Sequence, residues 1–197
     1  MKNNSIRTLT TLGILTAIIL VMAFTPLGYI RTLGLSVTLI HIPVIIGAII
    51  TGPAGGAVLG AVFGLTSFFQ CFGMETFGTT LFSINPVGTF VMCMIPRILL
   101  GVLAALFYRL FDKRSDKTAG IWTGITATLS HTVMFMGLLS LFFYNTPFIQ
   151  GFAEMLGVSN VFAFIVAFVG VQGLLEVALA AVAAGALVPV MKKVRRT

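Results

Sequence analysis

The stretch His41 to Phe68, HIPVIIGAIITGPAGGAVLGAVFGLTSF, contains no Asp, Glu, Lys or Arg and is interrupted near its middle by Thr51-Gly52-Pro53. A helix needs about 20 predominantly apolar residues to cross the hydrocarbon of a bilayer, and proline and glycine end helices. The stretch therefore predicts two membrane helices, over residues 37–50 and 54–69, joined by a tight turn. The first of them is short for a complete crossing.

Small residues follow a regular spacing within this stretch. Four glycines recur at every fourth position: Gly52, Gly56, Gly60 and Gly64. This spacing places them on one helix face, where another backbone can approach closely. Packing inside a bundle and docking of a second protein both explain such a face. The same spacing of small residues occurs at Gly13 and Ala17 near the N-terminus, where docking of a separate membrane subunit is the stronger alternative.

The composition extends this membrane assignment to the whole chain. Of 197 residues, 58% are hydrophobic and 9% are charged, and the mean hydropathy is +1.09. Soluble domains have about a quarter charged residues because water must solvate their surface. The chain therefore has no room for a separate catalytic, ATP-binding or DNA-binding domain.

The apolar segments predict one all-α integral membrane domain over residues 1–197. We expect a six-transmembrane-helix bundle with spans at about residues 8–27, 37–50, 54–69, 87–111, 118–143 and 160–190. The first segment lacks a convincing signal-peptide cleavage site, so we interpret it as a retained span. Six spans place both termini on the same side of the membrane.

The positive charges indicate which side that is. The formal net charge is +7, and the basic residues near the termini and between spans four and five are Lys2, Arg7, Lys113, Arg114, Lys117, Lys192, Lys193, Arg195 and Arg196. The loops on the opposite side contain Arg31 alone. Cytoplasmic loops are enriched in Lys and Arg, so we predict cytoplasmic termini. Because topology explains the charge, we expect no nucleic-acid partner.

Three loops then face outward, at Tyr29–Ser36, Gln70–Pro86 and Tyr144–Ser159. The last two are long, and loops of that length are more often lids or binding loops than simple connectors. We therefore expect the functional site to open outward. Aromatic residues near the third loop are interpreted as lipid-facing, namely Phe142, Phe143 and Phe148.

Polar residues at membrane depth are the candidates for function, because they are costly there unless paired or used. Arg97, His131 and Glu176 fall near the middle of spans, and Gln172 lies one turn from Glu176. Two alternatives stay open for Arg97. It pairs with Glu176 inside the bundle, or its guanidinium binds a ligand carboxylate through two parallel hydrogen bonds. For His131, packing inside the bundle is favoured over a role in binding, whereas for His41, near the outward loops, the two explanations are about equal.

Enzyme chemistry has little support in the sequence. We find no H-E-x-x-H, G-x-S-x-G or G-K-[ST] motif, and Cys71 and Cys93 lack the spacing of metal ligands. We therefore expect no catalysis, no cofactor and no metal site. Two alternatives remain: a small membrane enzyme that uses His131 or His41 with Glu176, and an ion-coupled carrier that works alone.

Three segments resemble a known family: the opening stretch, TPLGYI at residues 25–30 and PRILLG at residues 96–101. They are similar to the substrate-specific S components of energy-coupling factor (ECF) vitamin transporters, most of all to the pantothenate-type branch. The resemblance implies a membrane subunit that captures a vitamin. It also implies as partners a transmembrane coupling subunit and two cytosolic ATPases, with the loaded S component toppling in the membrane to release its substrate inward.

The resemblance also implies roles for particular residues. The family docks through an Ala-x-x-x-Ala face on its first span, which Gly13 and Ala17 match here with different letters. Family members bind substrate with their outward loops and outer helix ends, and the matching candidates are Arg31, His41, Gln70, Asn85, Arg97 and Asn145. Pantothenate is the leading substrate. Riboflavin and folate remain alternatives, because a shared fold does not choose the substrate.

Overall fold

The structure is a computed structural model that describes residues 2–31 and 36–196, with side chains for residues 5–28, 37–170 and 172–193. Its helices are α1 (Lys2–Ala23), α2 (His41–Gln70), α3 (Thr76–Ile84), α4 (Pro86–Phe111), α5 (Asp116–Phe143), α6 (Pro147–Met155) and α7 (Val161–Arg196). A 3-10 turn at Pro26–Gly28 leads into two antiparallel strands, β1 (Tyr29–Arg31) and β2 (Ser36–Thr38). Within the described residues, five helices are long and apolar enough to cross a membrane. The predicted helical membrane bundle is confirmed.

Helix α2 is bent back on itself at Gly52. Gly52 has a φ of 85°, which favours glycine, and its ψ of −176° is not helical. A Cβ placed on Gly56 would lie 2.8 Å from Cβ of Ala48, although residues eight apart in a straight helix are separated by about 12 Å. A Cβ placed on Gly47 would likewise meet the side chain of Leu59, which is twelve residues further along the chain. The two arms of α2 therefore lie side by side, as the Thr51-Gly52-Pro53 turn predicts.

The glycine face of α2 packs against α4. Three of its glycines pack directly against backbone carbonyl oxygens of α4. Gly56 contacts the carbonyl of Gly101, Gly60 that of Arg97 and Gly64 that of Cys93. The last carbonyl oxygen would be 3.0 Å from a Cβ on Gly64, and the other two would be closer still. For these glycines, packing within the bundle is therefore the correct interpretation.

Helices α5 and α7 repeat this kind of contact. A Cβ on Gly120 would lie 2.6 Å from the carbonyl oxygen of Ala184, and a Cβ on Gly124 would lie 2.6 Å from that of Ala180. The residue number rises along α5 from one pair to the next while it falls along α7, so the two helices run antiparallel. Two backbone-to-backbone seams thus hold the long helices together.

Two of the predicted outward loops contain short helices, α3 and α6. The Glu75 side chain caps α3 by accepting hydrogen bonds from the backbone N–H groups of Phe77 and Gly78. Thr146 caps α6, where Pro147 occupies the first helical position. Span boundaries also shift, since α1 ends at Ala23 rather than near residue 27 and β2 precedes α2. These short helices close one end of the bundle.

The opposite end of the bundle contains the start of α1 and the end of α7. Lys192 of α7 forms an ion pair with Asp116 of α5, with 2.9 Å between Nζ and Oδ1. The Tyr108 hydroxyl of α4 donates to the same Oδ1 at 2.7 Å and accepts from Lys192 at 3.0 Å. Arg109 lies near the Gly52 turn, with Nη2 3.8 Å from a Cβ placed on that glycine. The β-hairpin, α3 and α6 are therefore at the other end.

Candidate functional site

A cavity of about 590 Å³ lies inside the end of the bundle that α3 and α6 cover. This volume suits a small molecule, since ligand pockets commonly measure about 300–1,000 Å³. Residues from α1 through α7 and from β2 line it. The polar side chains that bear on ligand recognition are Gln70, Glu75, Arg97, His131, Gln172 and Glu176.

Arg97 is the only Lys or Arg among the residues lining this cavity in the described part of the chain. Its Nη1 donates to the backbone carbonyl of Met92 at 2.6 Å. Its guanidinium carbon lies 4.8 Å from the ring centroid of Phe135 and 5.5 Å from that of Phe63. Nε is buried and has no hydrogen-bond partner in the structure. Arg97 therefore lines the cavity with a buried donor that no protein group satisfies, and its guanidinium is the group there that can bind a ligand carboxylate.

The alternative of an ion pair between Arg97 and Glu176 is not what the structure contains. Both residues line the cavity, but among the described side chains only Lys192 and Asp116 meet the 4.0 Å limit for an ion pair. Oε1 of Glu176 instead accepts a hydrogen bond from the backbone N–H of Thr38 at 2.7 Å. Arg97 thus has no ion-pair partner among the described side chains, and the Glu176 carboxylate is hydrogen-bonded to β2 instead.

The hydrogen bond from Thr38 gives the Glu176 carboxylate a structural role. Thr38 ends β2, a stretch of non-helical backbone that packs against α7. Backbone N–H groups at membrane depth need a partner inside the protein, because lipid supplies none. Glu176 is such a partner, and Gln172 lies one turn earlier on the cavity face of the same helix.

The two histidines differ in their access to the cavity. His131 lines it, and its ring centroid lies 6.3 Å from that of Phe63 and 6.4 Å from that of Phe135. Its Nε2 is buried without a hydrogen-bond partner. His41 begins α2, where it is only 2% exposed, and it is not among the lining residues. His131, rather than His41, is therefore placed to meet a ligand.

The remaining predicted site residues have different positions. Gln70 lines the cavity and donates to the carbonyl oxygen of Ala23. Asn85 lies outside the lining and caps α4, where its Oδ1 accepts from Gly88 N–H at 2.9 Å. Asn145 is exposed between α5 and α6, also outside the lining. Arg31 ends β1, and its side chain lies outside the described residues.

Part of the cavity wall is formed by aromatic side chains of α3 and α6. Phe77 of α3 has its ring centroid 5.6 Å from that of Phe148 and 6.0 Å from that of Phe152, both on α6. All three line the cavity. The interpretation of Phe148 as lipid-facing is therefore wrong, and that of Phe143 is also wrong because it is fully buried. The four-residue spacing of Phe148 and Phe152 was the available signal, and it becomes visible once α6 is known to be a helix.

The thiols of Cys71 and Cys93 also line the cavity and are free. A hydrogen bond to Cys93, together with burial, raises the pKa of the Cys71 thiol, so this group adds no negative charge. Within the described part of the chain, no group of three His, Cys, Asp or Glu residues is placed to hold a metal ion. The arrangement is thus suited to binding an organic anion that has an apolar part.

Two comparisons with known proteins agree with this geometry. A family model for the substrate-specific component of ECF transporters matches residues 7–188. The pantothenic acid transporter PanT of Lactococcus lactis subsp. cremoris (strain MG1363) is 34% identical over 168 residues, which cover 80% of this chain and 79% of that protein. The family match includes the cavity-lining parts of α1 to α7.

Proposed function

The chain belongs to the substrate-specific components of ECF transporters, and on that basis we propose that it captures pantothenate outside the cell. Members of this family are transport proteins, so the chain is a multi-pass transport protein of the cell membrane and not an enzyme. The substrate, the membrane orientation and the partners belong to the proposal.

The position of Arg97 in the cavity lining, with its buried Nε unsatisfied by any protein group, is the observation on which the choice of an anionic ligand rests. Pantothenate has a carboxylate at one end, and a guanidinium binds a carboxylate well through two parallel hydrogen bonds. It also has a dimethyl-substituted carbon, which suits the aromatic wall formed by Phe77, Phe148 and Phe152. The similarity to a protein named as a pantothenic acid transporter supports the same choice.

The proposed orientation places the cavity at the outer face. If the two arms of α2 are counted separately, the bundle has six candidate membrane segments, and the start of α1 and the end of α7 lie at the end opposite to the cavity. Most Lys and Arg residues outside the helix interiors lie near those chain ends and near Asp112–Lys117. The positive-inside rule then makes that end cytoplasmic.

The proposed partners are a transmembrane coupling subunit and two cytosolic ATPases. Helix α1 offers the surface for this contact, since no atom lies within 4 Å of a Cβ placed on Gly13. Ala17, one turn further along, is exposed on the same face. Leu9 and Val21 continue that face, and they are 71% and 57% exposed.

Ligand binding by the purified chain tests the proposed substrate. We expect denaturing mass spectrometry of the detergent-purified protein to release pantothenate, and calorimetric titration to show saturable binding of added pantothenate. Riboflavin and folate are the matched comparisons, and we expect neither to compete. Retention of one of those vitamins instead would keep the family and correct the substrate.

A second experiment tests the need for partners. We expect vesicles that contain this chain alone to show no uptake of pantothenate under an imposed ion gradient. Vesicles that also contain the coupling subunit, the two ATPases and ATP should take up pantothenate. Uptake by the chain alone would support the ion-coupled carrier alternative and contradict the proposed assembly.

A further inference from the structure

Polar side chains from two different helices line the cavity. Arg97 extends from α4, whereas Gln172 and Glu176 extend from α7. Among the described side chains no ion pair joins Arg97 to Glu176, although both residues line the cavity. A ligand that satisfies both groups must have an anionic end and a separate end with hydrogen-bond donors.

We propose that Glu176 is a second anchor of the ligand, accepting hydrogen bonds from hydroxyl groups at the end remote from the carboxylate. This inference rests on the proposed function, in which Arg97 holds the carboxylate. Pantothenate has the required form, because its two hydroxyl groups and its carboxylate lie on opposite sides of its amide. The preferred ligand class is thus a hydroxylated carboxylic acid.

The Glu176 carboxylate has acceptor capacity beyond its contact with β2. An ionised carboxylate has about four lone-pair positions. The backbone N–H of Thr38 occupies one of them at 2.7 Å. The Glu176 side chain is only partly buried and lines the cavity. Its remaining positions are therefore available to ligand hydroxyls.

Gln172 adds to the same end of the cavity. It lies one turn before Glu176 on α7, and residues four apart share a helix face. Its amide has both a donor and an acceptor, which complements hydroxyl groups in either orientation. Hydroxyls bound at this end would share the Glu176 carboxylate with Thr38. The ligand would then help to hold β2 in place over the cavity.

A purely electrostatic role for Glu176 would give the opposite effect of its removal on ligand binding. If it served only as a negative charge near Arg97, its removal would strengthen binding of every carboxylate ligand, because a repulsive charge would be lost. If it accepts hydrogen bonds from hydroxyls, its removal weakens binding of hydroxylated ligands only. The two roles therefore differ in sign and in ligand dependence.

The test is a cycle of two ligands and two protein variants, measured by calorimetric titration. The ligands are pantothenate and N-(3,3-dimethylbutanoyl)-β-alanine, in which hydrogen replaces both hydroxyls. We expect Glu176→Gln to weaken pantothenate binding about tenfold or more, as for hydrogen bonds to charged groups, and to leave binding of the analogue nearly unchanged. Glu154→Gln is the matched control, because Glu154 is exposed on α6 outside the cavity lining.

The outcomes separate this inference from the proposed function. Equal weakening for both ligands, or stronger binding of both, would overturn the role of Glu176 while pantothenate remains the substrate. Failure of the folded wild-type chain to bind pantothenate would overturn both proposals. If Glu176→Gln does not fold, Glu176→Asp retains the charge but retracts it by one methylene, and the same selective loss is expected.

Discussion

Gly60 of α2 lies directly against the backbone carbonyl of Arg97 in α4, so closely that a Cβ at position 60 would overlap it. The cation of the cavity is thus positioned through its backbone by a residue that has no side chain. This contact joins the packing of the bundle to the geometry of the site. A change at Gly60 should therefore affect both.

Replacement of Gly60 by leucine should separate α2 from α4. We expect a destabilisation of about 1–3 kcal/mol, as for other overpacked interiors, together with weaker pantothenate binding. Thermal unfolding in detergent and calorimetric titration would measure the two effects. Gly137→Leu is the matched control, because nothing lies within 4 Å of a Cβ at Gly137 in α5. Equal stability of the two variants would contradict the packing argument.

Replacement of Arg97 should remove recognition of the carboxylate. We expect Arg97→Met to weaken pantothenate binding about tenfold to a hundredfold, because a hydrogen-bonded charge pair with the ligand is lost. Arg97→Lys should recover only part of the affinity, since an ammonium group lacks the planar fork. Calorimetric titration of both variants would measure these losses.

Panthenol provides the control for Arg97, because a hydroxymethyl group replaces its carboxylate. The wild-type chain should bind panthenol much more weakly than pantothenate, and Arg97→Met should bind the two with similar affinity. A variant that still prefers pantothenate by the wild-type factor would remove Arg97 from the carboxylate site. Unchanged panthenol binding in the variant would show that the cavity remains folded.

The exposed face of α1 should be needed for assembly but not for ligand binding. We expect Gly13→Leu to leave pantothenate affinity unchanged and to reduce capture of the coupling subunit and ATPases, because a large side chain prevents close approach of helices. Co-purification with those subunits would measure the loss. Gly137→Leu again serves as control, since this glycine is equally open but lies on α5. Equal capture of both variants would argue for docking through another surface.

The proposed orientation can be tested with single cysteines. In a background with Cys71→Ser and Cys93→Ser, a membrane-impermeant maleimide added to intact cells should label Glu154→Cys and not Lys113→Cys. Both positions are exposed and lie at opposite ends of the bundle. The reverse pattern would place the cavity on the cytoplasmic side.

The long-range architecture was largely predictable because its signals are local. The Thr51-Gly52-Pro53 turn and the four-residue glycine spacing are both visible in the sequence, and each specifies a backbone geometry. Arg97 was recognisable because a charge at membrane depth is costly. These predictions depend on neighbouring residues along one helix and not on which helices meet.

The parts that could not be predicted depend on tertiary contacts. The partner of Glu176 is Thr38, which is 138 residues away in sequence, so the Arg97–Glu176 pair looked equally reasonable. Short α6 lies inside a stretch that looks like a loop, and without it Phe148 has no defined face. Asn85 is polar and precedes α4, and its role as the cap of that helix depends on the backbone geometry before Pro86.

The glycine seam between α2 and α4 has a consequence for how the cavity opens. Backbones in direct contact leave no side chain that can rotate to relieve a displacement, so these two helices should move together as one rigid body. Between α3 and α6, the ring of Phe77 contacts those of Phe148 and Phe152, and such rings can exchange neighbours without breaking backbone hydrogen bonds. Admission of a ligand should therefore occur through rearrangement of the aromatic side of the cavity, while Arg97 stays fixed.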